Sequence, residues 1–407
     1  MDILLITPNS PYPPQQGAAL RNLGLLHSLK ALNARVTLLS FCEHIPEAIP
    51  ERLALLCDRI EFIETPSRHM SDRIRDLVTS DHPDLARRLN SAAFREKLVT
   101  LLHERTYDLI QFEGLEMAVY APLVRQHQPN AKLVYDAHNA EFALQRNIAQ
   151  VEKRSIRRLP GRIYSQIQAA RIMRFERRVC ALVNGIIAVS DDDAGHLRTL
   201  GTGVPVFTLP NGIFVDDYVI NETAALNLAG MPLVFTGKMD YRPNVDAMTW
   251  FIESILPAIH TVHPDAHLYI VGQHVHRNLL QYEATTPNIA FTRWVESVVP
   301  FLHRADIFIA PLRMGSGTRL KILEAMAAGC AIVATDVAIS GLSDEVRDAL
   351  IVANDAPAFS QAVNALLQDS GKRALMGEKA RTYVRACYDW SILTPHLRDI
   401  YREIGIG

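Results

Sequence analysis

The chain has 407 residues, 48% of them apolar and 21% charged, with 42 lysines and arginines against 44 aspartates and glutamates. One hydrophobic core seldom grows that large, so two domains of roughly 200 residues each are expected. A net charge of −2 gives no general electrostatic reason to bind nucleic acid, and no apolar stretch reaches the ~18 residues a membrane span requires. The five cysteines, at 42, 57, 180, 330 and 387, are odd in number and lack CxxC spacing, which predicts reduced thiols in a reducing compartment.

Short apolar runs alternate with helical patterns along the whole chain, the signature of parallel sheets covered by helices on both faces. The first half reads as strands at 2–7, 35–40, 59–63, 107–112, 131–135, 185–189 and 205–209. The first of them starts at Asp2, which leaves no room for a signal peptide and predicts a cytoplasmic protein. It runs into a proline-stiffened loop that ends at Gly17, before a helix carrying Arg21 and Asn22. The fifth strand leads into Asp136, His138, Asn139 and Glu141, a polar cluster where α/β folds bind ligands. Asn139 and Glu141 also read as caps of the following helix.

Segment 151–180 carries nine lysines and arginines against Glu152 and Glu176 alone. It reads either as a surface that docks on anionic membrane, making the protein peripheral on its inner face, or as a solvated helix with paired cations. Ser190-Asp191-Asp192-Asp193 mimics a metal-binding Asp-x-Asp, but a serine followed by acids at a helix start is ordinary capping chemistry. No metal site is expected there, nor from the scattered run His260, His263, His267, His274, His276 and His303, which lacks zinc-ligand spacing.

Pro210-Asn211-Gly212 is turn chemistry and the expected linker. The strand pattern restarts at Leu233-Val-Phe-Thr-Gly237 and continues through 267–272, 289–292, 306–310, 331–335 and 349–352. Its first strand ends in Gly237-Lys238 ahead of a helix, a turn suited to an anion. The run Asp306–Pro311 stops at a Gly/Ser loop, and a helix then opens with Thr318, Arg319 and Lys321. Cations at a helix N-terminus oppose the dipole, so a bound diphosphate gives them a purpose. Glu324 lies one turn beyond Lys321 on the same face, placed to accept hydrogen bonds from a sugar hydroxyl. The alternative is an ordinary strand–loop–helix with solvated cations.

Gly315-Ser-Gly-Thr-Arg-Leu-Lys-Ile-Leu-Glu-Ala-Met-Ala-Ala-Gly329, followed by the strand from Cys330 to Thr335, resembles the donor-site signature of family-4 retaining glycosyltransferases. That resemblance spans nearly the whole chain. It implies the GT-B fold: two Rossmann-like, doubly wound parallel-sheet domains facing across a cleft. The expected domains are 1–210 on the acceptor side and 211–387 for the nucleotide sugar, with a last helix in 388–407 crossing back to the first domain. The resemblance assigns Gly17, Gly237, Lys238, Gly317, Thr318, Arg319 and Lys321 to the donor phosphates. It assigns Val295, in Arg293-Trp294-Val295, to the base, and Glu324 to the ribose. His138 then contacts the transferred sugar, and Asp136 orients its ring or shapes the acceptor pocket. Lys238, Arg319 and Lys321 also stabilise the leaving group, so no cofactor is implied beyond the nucleotide-sugar donor. The family's usual Glu eight residues before Glu324 is Ser316 here, and Pro243 stands where a second diphosphate Lys is usual. These departures place the chain with a G-T-R-x-K subgroup of envelope and exopolysaccharide enzymes. The expected activity is sugar transfer to a saccharide or lipid-linked acceptor. Its rivals are a GT-B epimerase or phosphorylase and a sugar-nucleotide-binding protein without turnover.

Overall fold

The structure is a computed structural model that describes residues 1–14, 17–152, 159–219, 226–315 and 320–406. The chain divides into two compact units, Met1–Asn211 with Leu393–Gly407, and Gly212–Ile392. In the first unit the strands are β1 (Asp2–Thr7), β2 (Arg35–Cys42), β3 (Arg59–Glu64), β4 (Leu109–Glu113), β5 (Lys132–Ala137), β6 (Gly185–Ala188) and β7 (Val206–Thr208). They form one parallel sheet in the order β3-β2-β1-β4-β5-β6-β7. In the second unit β8 (Met231–Thr236), β9 (Ala266–Val271), β10 (Ile289–Arg293), β11 (Ile307–Ala310), β12 (Ile332–Ala334) and β13 (Ile351–Val352) form a parallel sheet ordered β10-β9-β8-β11-β12-β13. Each order reverses direction once, between β1 and β4 or between β8 and β11, and ligands of such sheets collect at the carboxyl ends beside that switch.

The central strands are buried on both faces, which is why they read as apolar runs instead of alternating ones: Ile3 to Ile6 and Phe308 to Ala310 are wholly inaccessible. Each unit has its own core. The first is centred on Phe41, Phe94 and Tyr120, stacked at 4.4 and 4.6 Å between ring centroids. In the second, Phe359 meets Phe251 edge-on at 6.0 Å. Each such ring stabilises its unit by about 1.5–3 kcal/mol through burial alone. Four of the five cysteines are buried and all are free thiols.

The helix Trp390–Glu403 ends the chain, and from Leu393 onward it counts with the first unit. Leu397, Ile400 and Tyr401 are buried there, and Ser28 bonds Thr394 at 2.7 Å. Gly185 of β6 has no room for a side chain, since a Cβ would come within 2.5 Å of Ile404. Among the described residues no helix is long and apolar enough to cross a membrane.

Candidate active site

Strands β4 and β5 run one residue further than the sequence pattern suggests at β4 and two at β5, and this extension creates the first site. Their register sets Glu113 directly opposite Asp136. Neighbouring parallel strands lie ~4.8 Å apart, so two fully buried carboxylates stand side by side. Both need a counter-charge, because an isolated buried carboxylate is costly. Asp136 receives it from Arg21 on the helix Gly17–Ala31, which follows β1. The Arg21 Nε donates to Asp136 Oδ2 at 3.0 Å and Nη2 to Oδ1 at 2.8 Å. Its remaining nitrogen, Nη1, donates to the Leu209 carbonyl, the Pro210 carbonyl and Asn211 Oδ1. Arg21 is 1% exposed, so this guanidinium is wholly committed to protein partners.

Glu113 receives its counter-charge from His138, whose Nε2 lies 3.1 Å from Glu113 Oε2. The ring is therefore bonded by Glu113; of the two roles the resemblance offered Asp136, orienting the ring or shaping the acceptor pocket, the first falls to Glu113, since Arg21 has taken the Asp136 carboxylate. Burial pushes the His138 imidazole towards the neutral form, but the hydrogen bond and charge of Glu113 outweigh it and its pKa rises. Burial and the adjacent Asp136 push the Glu113 carboxyl upward, against the pull of His138 and Arg21. A proton is thus held strongly within the pair. Glu113 carries no motif. Its sequence signal was the polar pair Gln111 and Glu113, two residues apart at the end of an apolar strand just before Gly114.

The loop after His138 is fastened from two other elements. Ala140 N–H donates to Asp193 Oδ1 at 2.8 Å. The N–H groups of Glu141 and Phe142, which open the helix Glu141–Glu152, donate to Glu176 Oε1 and Oε2 at 3.1 and 2.8 Å. This helix start is therefore held by the distant Glu176 and Asp193, in addition to Glu141, which stands in its first turn as the sequence suggested. Tyr135 also donates to Glu176. Burial pushes the Glu176 carboxyl up to about 8, and burial together with Glu116 pushes Glu141 up to about 7. Ser190 caps the helix Asp191–Arg198 by accepting the Asp193 N–H. Asp191 accepts the Thr208 hydroxyl.

In the second unit the turns after β8 and β9 pack backbone against backbone. Gly237 (φ 146°) and Gly272 (φ 152°) are both in conformations open to glycine, and a Cβ on Gly272 would sit 1.9 Å from the Gly237 carbonyl oxygen. Lys321 opens onto this turn from the helix Leu320–Ala327, close enough that a Cβ on Gly237 would lie 2.9 Å from its Nζ. Its ammonium donates to Asn244 Oδ1 at 2.8 Å and rests 4.0 Å over the Phe235 ring. Asn244 in turn donates to the Lys238 carbonyl at 2.9 Å. Asn244, next to the buried Pro243, is a residue the sequence reading overlooked. Lys238 itself is half exposed, with Asp240 at 3.7 Å. Glu324 is half-buried and accepts the Tyr218 hydroxyl at 2.9 Å. Burial raises its pKa, with Tyr218 and Lys321 pulling the other way.

Of the remaining candidates, Gly17 is exposed at the first helix start, Val295 is half-buried against the second core, and Trp294 is 59% exposed. Ser316, Gly317, Thr318 and Arg319 lie outside the described residues, as does 153–158 of the basic segment. In the described part of that segment, Arg171 donates to the Leu77 carbonyl and Gln168 accepts the Asp84 N–H, so the helix Leu159–Leu182 docks on the protein. The one group of ligand-type side chains among the described residues is Glu113, Asp136 and His138, with their ligand atoms within 4.8 Å of one another. Arg21 and the Glu113–His138 bond already satisfy that cluster's charges.

Two doubly wound sheets, one with a cation and glycine turns at its switch point, define the class as GT-B. Sucrose-phosphate synthase from Thermosynechococcus elongatus shares the fold over 100% of this chain and 99% of its own, with a TM-score of 0.71 and 18% identity. HepE from Anabaena, in complex with UDP-glucose, matches over 98% and 99% with a TM-score of 0.62 and 14% identity. Residues 16–217 match the model described as Glycosyltransferase Family 4, and residues 231–369 match Glycosyl transferases group 1. The chain belongs to the family-4 glycosyltransferases. Phosphatidyl-myo-inositol mannosyltransferase of Mycobacterium leprae is 29% identical over 233 residues, which are 54% of this chain and 59% of that relative. The match thus covers less than two-thirds of the relative's length.

Proposed function

We propose that the protein is a retaining, metal-independent glycosyltransferase. It moves a sugar from a nucleotide-diphosphate donor to a saccharide or lipid-linked acceptor in envelope polysaccharide or glycoconjugate synthesis, as a member of the G-T-R-x-K subgroup. The observation that carries this reading is Lys321, held by Asn244 and Phe235 against the open backbone of Gly237. A cation fixed beside a glycine turn at a switch point is preorganised for phosphate charge and costs no rearrangement when that charge develops. Lys238 and Arg319 supply further positive charge to the leaving diphosphate, in the role a metal would otherwise fill. Glu324 takes the ribose hydroxyls, exchanging or sharing its bond from Tyr218. Val295 and the backbone around it meet the base.

On the first unit His138 contacts the transferred sugar near its reacting carbon. Neither Glu113 nor Asp136 is available as a covalent nucleophile, since each is engaged by His138 or Arg21. Same-face attack, with the departing phosphate taking the acceptor proton, fits this arrangement. The UDP-glucose bound to the structural neighbour and the lipid acceptor in the relative's name support the donor and acceptor classes. Ser316 and Pro243 motivate the second reading, a sugar-nucleotide-binding protein without turnover.

A thermal-shift panel of nucleotide sugars identifies the donor, because a ligand of the native state raises its midpoint. Transfer is then measured with wild type and His138→Ala. We expect turnover to fall far more than donor affinity, the mark of an interaction made mainly in the transition state. Donor binding without transfer or hydrolysis would favour the second reading. A stable His138→Ala protein with normal turnover would end the catalytic assignment.

A further inference from the structure

A buried hydrogen-bond chain runs from the last helix to His138. Tyr401 donates to Gln111 Oε1 at 2.6 Å, Gln111 Nε2 donates to Glu113 Oε1 at 2.7 Å, and Glu113 Oε2 meets His138 Nε2 at 3.1 Å. Tyr401 is 2% exposed and Gln111 and Glu113 not at all, while the His138 side chain retains 20% of its exposure. The direction of the chain follows from its chemistry. An ionised Glu113 only accepts, so the Gln111 amide must turn its NH2 towards it. The Gln111 oxygen then faces Tyr401, whose hydroxyl must donate. Every donor points at the Glu113 carboxylate, which favours an N–H on His138 Nε2. Among the described residues the ring makes no hydrogen bond at Nδ1, and that nitrogen is left for a ligand.

Glu113 stands in register with Asp136, where a second negative charge is unfavourable, and it has two dedicated partners, Gln111 and His138. We propose that Glu113 is a positioning residue for glycosyl transfer: it holds the His138 ring with Nε2–H inward and Nδ1 towards the transferred sugar, and the C-terminal helix secures it through Tyr401 and Gln111. This rests on the role given to His138 above. The charged and titratable groups around the ring are Glu113 on β4, Asp136 on β5, Arg21 on the first helix and Glu141 on the helix that follows. Tyr401 of the last helix senses Glu113, Asp136 and Arg21. Of these, Glu113 is the one bonded to the ring.

The test is a double-mutant cycle of Glu113→Gln and His138→Ala, with Tyr401→Phe as the conservative variant at the far end. Turnover, donor affinity, the pH–rate profile and the NMR titration of the His138 ring are recorded on folded protein of each. Glu113→Gln should lower turnover about tenfold to a hundredfold, within the range of a positioned acid–base group, and leave donor affinity within about twofold. It should also move the His138 titration to lower pH. In the His138→Ala background the same change should add less than about twofold, because both substitutions then remove one unit. Tyr401→Phe should act in the same direction and more weakly. Equal losses in both backgrounds, or an unmoved His138 titration, would overturn the proposal. Normal turnover in His138→Ala would instead remove the role of His138, and the ring titration would still decide whether Glu113 governs its protonation.

Discussion

The two sheets share one strand order, yet their carboxyl ends solve opposite electrostatic problems. The first unit places two carboxylates abreast and balances them internally with Arg21 and His138, so the charges are buried and every one has a protein partner. The second unit builds its turn from backbone, Gly237 against Gly272, and holds Lys321 there by an amide oxygen and a ring face. One end balances its charges internally, and the other, on the function proposed above, is completed by the donor diphosphate. Charge in the first site is balanced within the protein, whereas the second site, on the reading proposed above, is balanced by the bound donor.

Arg21→Ala should give the largest effect. It strips Asp136 of the one salt-bridge partner it has among the described residues and frees the carbonyls of Leu209 and Pro210. Breaking one partner of a buried pair costs about 3–5 kcal/mol. We expect a large loss of melting temperature, read by calorimetry, with activity lost through unfolding. Lys321→Ala is the counterpart and should leave stability within about 1 kcal/mol. Donor affinity should fall by about tenfold to a hundredfold, the worth of a charge-assisted contact of about 1.5–3 kcal/mol. If Arg21→Ala melted like wild type, or Lys321→Ala unfolded the protein, the contrast between the ends would fail.

That contrast was only half visible in the sequence. The central strands of both sheets left apolar runs, because they are buried on both faces, while the half-buried edge strand β3 reads Arg-Ile-Glu-Phe-Ile-Glu. Gly237-Lys238 and the Lys321–Glu324 spacing were legible since they are local, lying within one turn of chain. The first site depends on partners 25 and 115 residues apart, Glu113 with His138 and Arg21 with Asp136. Periodicity reports which face a residue occupies and says nothing of which residue stands opposite on the next strand. The register of β4 on β5 therefore could not be read, nor the need for Arg21 that follows from it. Glu176 left a faint trace as one of two acids in a basic stretch, but its task, holding the start of a helix 34 residues earlier, is tertiary.

Glu176 also sharpens the comparison through pH. Its folded carboxyl is raised to about 8 from an ordinary 4.5, so the folded state binds the proton more tightly than the unfolded state. The stability this contributes is complete below about pH 4.5 and is lost as pH rises through about 8. Glu141, raised to about 7, acts in the same sense. Melting temperature measured from pH 5 to 9 should decline, and Glu176→Gln should flatten the decline. An unchanged slope in the variant would show that another group carries it.

The smallest effects are expected at the Asp-x-Asp imitation, where the two acids should part company. Asp193 is buried, receives the Ser190 hydroxyl and holds Ala140, two residues after His138. Asp193→Ala should cost about 1–3 kcal/mol, the penalty for leaving buried donors without an acceptor, and should slow transfer by loosening the His138 loop. Asp191 is exposed, and its Thr208 bond competes with water, so Asp191→Asn should stay within about 0.5 kcal/mol of wild type. If the fixed cations of the second unit do the work of a metal, transfer in excess EDTA should match transfer without it, in wild type and Asp191→Asn alike. Loss of transfer on chelation, with recovery on adding manganese or magnesium, would reverse that assignment. Glu113, Asp136 and His138 would then be the first ligands to test, by asking whether Arg21→Lys, which loosens the clamp on Asp136 while keeping its charge, alters the metal concentration needed for half-recovery.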